Sequence, residues 1–145
     1  MYLGLDLGTS GLKALLVDGA EKIVAESVVP LQVSRPQDGW VEQNPSDWFS
    51  ACETAIAGLG VDLSQVQGIG LSGHMHGATL MNASGKPLRP CLLWNDTRAA
   101  VEAAELDVDP LWRKISGNIV FPGFTAPKVE WVRRHEPDIF AQIDK

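Results

Sequence analysis

The chain has 145 residues, 45% hydrophobic and 21% charged, the composition of a single soluble globular domain with a core of its own. A net charge of −6 argues against general binding to nucleic acid or to an anionic membrane, because both select a basic face. No apolar run reaches the ~18 residues of a membrane span, and the N-terminus lacks a basic, long-apolar leader. A cytoplasmic protein is therefore expected. Cys52 and Cys91 lie in apolar contexts and are expected as buried free thiols.

Taken in order, Tyr2 to Leu5 is an apolar run that reads as a buried strand, with Asp6 near its end. Gly8-Thr9-Ser10-Gly11 is a tight, hydroxyl-rich turn, and Leu12 to Val17 returns the chain beside the first run. Asp18-Gly19 signals another turn and Ile23 to Val29 a third strand, which completes a meander. Pro30 to Asn44 is polar and turn-rich, and reads as a surface connection. Asn44-Pro45-Ser46-Asp47 starts a helix, with a cap, a proline at the first position and an acid at the positive end of the dipole. Trp48, Ala51, Cys52, Ala55, Ile56 and Leu59 then fall on one stripe, which faces the sheet. Val66 to Ser72 is the next strand, and a helix joining two strands predicts a parallel crossover.

Beyond it, Thr79 to Pro90 reads as a small hairpin around Asn82-Ala83-Ser84-Gly85, and Cys91 to Trp94 as an extended segment. Asn95-Asp96-Thr97-Arg98 opens a helix over Ala99 to Leu106, with Asp96 as its cap and Arg98 as a partner for that carboxylate. Pro110 to Ile115 is a short helical turn, broken at Ser116-Gly117-Asn118. Phe121-Pro122-Gly123-Phe124 is a rigid apolar loop, and a helix starts at Ala126 or Pro127. Glu136-Pro137 breaks that helix, and Asp138 to Ile143 forms a last short one.

Three places carry candidate chemistry. The first is the corner after Asp6. Its glycines admit close approach, and turn N–H groups with the Thr9 and Ser10 hydroxyls and the Lys13 cation suit an anion. A carboxylate repels a bare anion, but is in place if Mg²⁺ lies between it and a phosphate. An ordinary hairpin with a charged rim is the plain alternative. The second is Ser72-Gly73-His74-Met75-His76-Gly77, delivered at the carboxyl end of a strand, where open α/β sheets bind ligands. A metal pair of His74 and His76 lacks further ligands, because the third histidine, His135, lies in a distant helical stretch. The third is Lys128, a cation near a helix start, where it opposes the dipole. It reads either as solvated or as reaching a phosphate or a carboxylate. Gly68-Ile69-Gly70-Leu71-Ser72-Gly73 matches a dinucleotide fingerprint by letters only, since its glycines lie within a strand and no helix start follows.

Asp-x-Gly-Thr-Ser-x-x-Lys at Asp6 to Lys13 resembles the phosphate-1 segment of sugar kinases with the actin-like ATPase fold, and specifically the FGGY family of carbohydrate kinases. Ser72 to Gly77, Leu93-Trp94-Asn95-Asp96-Thr97-Arg98 and Gly123-Phe124-Thr125-Ala126-Pro127-Lys128 extend the resemblance from Tyr2 to Lys145. It implies an α/β fold, a ribonuclease-H-like mixed sheet with flanking helices. Residues 1–145 would be the N-terminal portion of the family's first domain, the remainder lying in a longer protein. It implies ATP-dependent phosphoryl transfer to a sugar, D-xylulose, giving D-xylulose 5-phosphate. A kinase of the same fold for another sugar or polyol, such as ribulose, gluconate or glycerol, is the second enzyme reading, and a non-catalytic actin-like nucleotide module is the alternative outside enzymology.

By the same resemblance, Asp6 acts through Mg²⁺, and Thr9, Ser10 and Lys13 hold the phosphates of ATP. Met75 packs against the sugar and His76 hydrogen-bonds one of its hydroxyls. Trp40 forms either a wall near the sugar or a pin for its own loop, and Trp94, Asn95 and Asp96 are further candidates along the cleft. The catalytic base is an aspartate outside this chain, so the chain alone is expected to be inactive. An open sheet edge is expected as well, and with it self-association, for instance as a homodimer.

Overall fold

The computed structural model describes residues 1–145. In chain order the elements are β1 (Tyr2–Leu7), β2 (Gly11–Val17), β3 (Ile23–Pro30), β4 (Glu42–Gln43), α1 (Pro45–Gly58), β5 (Gly68–Gly73), β6 (Cys91–Leu92), α2 (Ala100–Asp107), α3 (Pro110–Ser116), α4 (Thr125–His135) and α5 (Pro137–Phe140). They fall into two units, one of residues 1–33 and 46–74, the other of residues 34–45 and 75–145.

The first unit is a four-stranded sheet in the order β3-β2-β1-β5. β1 and β2 are antiparallel, as are β2 and β3, whereas β5 joins β1 in parallel. The strand period of two sorts the side chains. Leu3, Leu12, Ala14 and Leu16 are buried with Ala51, Ala55 and Leu59 of α1 and its C-terminal end, and Trp48, Cys52 and Ile56 pack on this core. The stripe predicted for α1 is thus the covering face. β1 differs from its expectation as a fully buried strand: Leu3 is buried but Tyr2 is half exposed, because a helix covers only one face. β5 begins at Gly68, two residues later than the pattern placed it, and forms an edge on which Leu71 is 80% exposed.

Two glycines of this sheet give a paired test. A Cβ on Gly11 would meet the Val29 carbonyl oxygen at 2.8 Å, whereas one on Gly70 would meet nothing within 4 Å. Gly11→Ala is expected to destabilise the chain by about 1–3 kcal/mol through overpacking against backbone. Gly70→Ala is expected to be neutral or stabilising by up to ~1 kcal/mol, since it narrows the unfolded ensemble without a clash. Urea unfolding of both variants checks this, and equal effects would contradict the packing argument.

In the second unit β4 and β6 pair antiparallel, with Glu42 opposite Leu92 and Gln43 opposite Cys91. The stretch expected as surface connection therefore holds a strand, and Val41, Glu42 and Gln43 are buried. Charge masked this: Glu42 lies inside because Arg89 and Arg98 both reach its Oε1, at 2.6 and 2.8 Å. Ala78, Leu80, Leu92, Ala99, Trp131 and Val132 form the core. Asp96 is not a helix cap. Its carboxylate is fully buried, accepts from the Val41 N–H at 2.6 Å and binds the Arg98 guanidinium. α2 starts after Ala99, without a side-chain cap. The Arg98 guanidinium also lies 3.8 Å from the Trp40 ring, which meets Trp131 edge-on at 5.3 Å. Trp40 thus pins its loop into the core of this unit. α3 ends at Gly117 with φ +70°, the left-handed stop expected of glycine. α4 starts at Thr125, a residue before the expected start, and α5 covers only Pro137–Phe140. Cys91 is buried and Cys52 half-buried, both as free thiols.

Candidate functional site

The corner predicted from the first motif is built in the first unit. Leu7 pairs with Leu12, so Thr9 and Ser10 are the tip between Gly8 and Gly11. The Gly8 N–H donates to the Gly11 carbonyl at 2.9 Å and is spent inside the turn. Neither flanking glycine has a positive φ. Glycine is needed here for space, as the Gly11 contact with Val29 shows, and not for a left-handed backbone. The turn is braced on both sides: the Leu31 N–H donates to the Ser10 carbonyl and the His74 N–H to the Leu7 carbonyl, each at 3.0 Å. His74 itself meets the Trp48 ring edge-on at 5.3 Å, which accounts for it as a packing residue beneath α1.

Asp6 lies directly across from Lys13 on β2 and from Ser72 on β5, so the three share the sheet face opposite the α1-covered core. The Lys13 ammonium nevertheless bonds Glu26 of β3 at 2.9 Å, on a half-exposed surface. Asp6 is exposed and enters no ion pair, although a cation stands on the neighbouring strand. A lone carboxylate at the end of a parallel strand pair fits an ion that takes its other ligands from water and phosphate, as Mg²⁺ does. No group of three or more His, Cys, Asp or Glu residues is arranged to hold a metal on protein ligands alone. Thr9 is half-buried and Ser10 exposed at the tip.

The second unit holds Met75 and His76. Met75 is 69% exposed, and His76 has φ +64°, a left-handed backbone that costs a non-glycine residue about 1–2 kcal/mol. Its imidazole stands 4.5 Å from the Phe124 ring, tilted by 33°. Gly123 beside Phe124 has no room for a side chain, because a Cβ would lie 2.5 Å from the Trp94 carbonyl oxygen. Trp94 is half exposed and Asn95 partly buried, on the loop that Gly123 abuts.

Lys128 is the residue that patterning placed least well. It is fully buried, and its Nζ donates to the carbonyls of His76 at 2.9 Å and Gly123 at 2.6 Å. Neither a solvated lysine nor a phosphate ligand describes it. The signal was present in the sequence: a cation in the first turn of a helix opposes the dipole and needs acceptors from elsewhere. Burial pushes its pKa down to about 8, with Asp96 and Cys91 opposing that shift and Arg98 adding to it.

The sign of the resulting pH dependence is fixed. Between about 8 and 10.5 the unfolded chain holds a proton that the folded chain has released, so Lys128 makes stability rise with pH across that window. Cys91, whose thiol is pushed above its usual value of 9.0 by burial, acts in the opposite direction at the alkaline end. Wild type is expected to gain on Lys128→Met by about 1.4 kcal/mol per pH unit at most between those limits. Urea unfolding at several pH values measures it, and parallel curves would contradict it.

Comparison with known proteins agrees with this architecture. Residues 1–145 match the FGGY family of carbohydrate kinases, N-terminal domain. The xylulose kinase of Escherichia coli strain K12 is 49% identical over 148 residues, covering 100% of this chain and 31% of that protein. A crystal structure of a xyloylose kinase from Brucella ovis superposes with a TM-score of 0.95 at 61% identity, covering 99% of this chain and 31% of that one. The xylulose kinase structure from Rhodospirillum rubrum gives 0.90 at 30% identity, covering 97% and 30%. The chain therefore spans about three tenths of the length of these relatives. With the family matched along every residue and a mixed sheet of the actin-like ATPase type beneath it, the chain belongs to the FGGY family of carbohydrate kinases.

Proposed function

We propose that this chain is the N-terminal part of an ATP-dependent kinase that phosphorylates D-xylulose, the product being D-xylulose 5-phosphate. The observation that carries the reading is the open Asp6 carboxylate at the carboxyl end of β1, beside a turn braced by both neighbouring strands. The relatives that match along the whole of this chain are named as xylulose kinases, which supports the choice of sugar.

Asp6 is assigned to Mg²⁺, which when bound neutralises phosphate charge and polarises the phosphoryl group. The hydroxyls of Thr9 and Ser10 donate to phosphate oxygens. Lys13 adds positive charge once it exchanges Glu26 for phosphate, an exchange that a half-exposed pair permits at small cost. Met75 packs against the carbon skeleton of the sugar. The His76 imidazole both donates and accepts, which suits a hydroxyl partner. The base that takes the sugar proton is assigned to a part of the protein beyond this chain, and the chain alone is inactive on this reading.

The test is a coupled ATP-consumption assay on the complete gene product with D-xylulose, D-ribulose, L-ribulose, gluconate and glycerol. Preference for D-xylulose supports the proposal. Preference for another substrate overturns the sugar assignment and leaves the phosphate corner in place. ATP consumption that no sugar stimulates overturns the kinase reading in favour of a nucleotide-binding module.

A further inference from the structure

His76 presents its ring from a backbone conformation that few side chains favour, and something in the surroundings has to hold it there. The structure offers one fully buried cation for that purpose. Lys128 reaches from the first turn of α4 to the His76 carbonyl and to the Gly123 carbonyl. The second bond fixes the loop that places the Phe124 ring 4.5 Å from the imidazole. A single ammonium therefore ties together the backbone that carries the imidazole and the loop that carries the ring beside it. Both bonds are charge-assisted, the one to His76 partly buried and the one to Gly123 fully buried, which makes them stronger and more directional than surface contacts.

We propose that Lys128 is a positioning residue for His76: by bonding the His76 and Gly123 carbonyls it sets the angle at which the imidazole is presented to the sugar. This rests on the reading of Met75 and His76 as sugar contacts. The role is distinct from the phosphate ligand or solvated charge that a lysine in this motif suggests, since the ammonium is fully buried and directed at protein backbone.

Two measurements test it. The first is independent of sugar. A hydrogen bond accepted by a carbonyl alters the amide nitrogen shift of the following residue, here Gly77 after His76 and Phe124 after Gly123. In the complete gene product, those two amides are expected to titrate together with a midpoint near the Lys128 value of about 8. In Lys128→Met that step disappears and the His76 ring resonances move. The other groups facing Lys128 are Asp96 and Arg98 on the loop between β6 and α2 and the Cys91 thiol on β6. Burial pushes the thiol above 9.0, and the shared Gly77 and Phe124 step is assigned to Lys128 by its loss in the variant. Should Lys128→Met not fold, Lys128→Arg takes its place: a guanidinium does not titrate in this range, so the shared step disappears while the His76 ring stays placed.

The second measurement is a double-mutant cycle on the KM for D-xylulose. Lys128→Met is expected to raise it roughly tenfold to a hundredfold while the KM for ATP stays within about twofold. Lys128→Arg, which keeps the charge and the donors, is expected to recover part of that loss. In a His76→Ala background the Lys128→Met effect is expected to shrink to about twofold or less. Equal effects in both backgrounds, or Gly77 and Phe124 shifts indifferent to Lys128, overturn the proposal. If His76→Ala alone leaves the sugar KM unchanged, the sugar-contact reading fails, and the amide and ring shifts then decide whether Lys128 positions His76.

Discussion

Asp6→Asn is expected to lower kcat/KM of the complete enzyme by about 10²–10³-fold with almost no change in stability. The side chain is exposed and makes no ion pair, so its removal leaves no buried partner stranded. Surface changes of that kind stay within about 0.5 kcal/mol. On the proposed reading, what is lost is the negative charge that would hold a divalent cation against the phosphates. Asparagine keeps the shape and one oxygen, so the comparison isolates charge. Steady-state kinetics at several Mg²⁺ concentrations, together with a thermal melt, check both halves. Activity within about tenfold of wild type would remove Asp6 from the site, since one electrostatic contact of this kind is worth at least that.

Asp96→Ala is expected to do the reverse and unfold much of the second unit. Its carboxylate is fully buried, accepts the Val41 N–H, and faces an Arg98 side chain that is 1% exposed. Removing one partner of such a pair leaves a buried cation and an orphaned backbone donor, a loss of about 3–5 kcal/mol. Arg98 keeps Glu42 as a second partner, which places the expected value at the lower end of that range. Asp96→Asn is expected to cost less, because it preserves an acceptor for Val41. Urea unfolding measures both, and a loss below about 1 kcal/mol for Asp96→Ala would show that the pair is dispensable to the fold.

These two aspartates also mark where sequence reading succeeds and where it stops. The period of two in β1 and β2 and the stripe on α1 report burial against a single neighbour, and a local pattern carries that information. The sheet with its parallel β5 was legible for the same reason. The place of Asp6 near the end of β1, beside a hydroxyl-rich turn, was legible because strand and turn lie in one local stretch. The Asp96–Arg98 pair and the misfit of Lys128 with its helix dipole were local signals too, but the distant partners of the two residues were not legible. The partners of Asp96 include Val41, and those of Lys128 include His76, each distant in sequence. Nothing in a local window distinguishes a charge that caps a helix or faces water from one that is buried and paired. β4 escaped notice similarly, since a two-residue strand containing Glu42 has no apolar alternation to reveal it. The corner glycines were read as admitting close approach, and at Gly11 the group that comes close is the Val29 carbonyl of the neighbouring strand.

The place of β1 in its sheet has a kinetic consequence. It is bonded on one side to β2, which follows it at once in the chain, and on the other to β5, which arrives only after a third strand and a helix have been made. Closing the first pairing fixes a short loop, and closing the second fixes a long one at greater entropic cost. The meander can therefore assemble early from local contacts, while the parallel pairing waits for α1 to bring β5 back. Until then the β5-facing edge of β1 is an unpaired row of N–H and C=O groups, and the chain's exposure to misassembly is set by how long that docking takes.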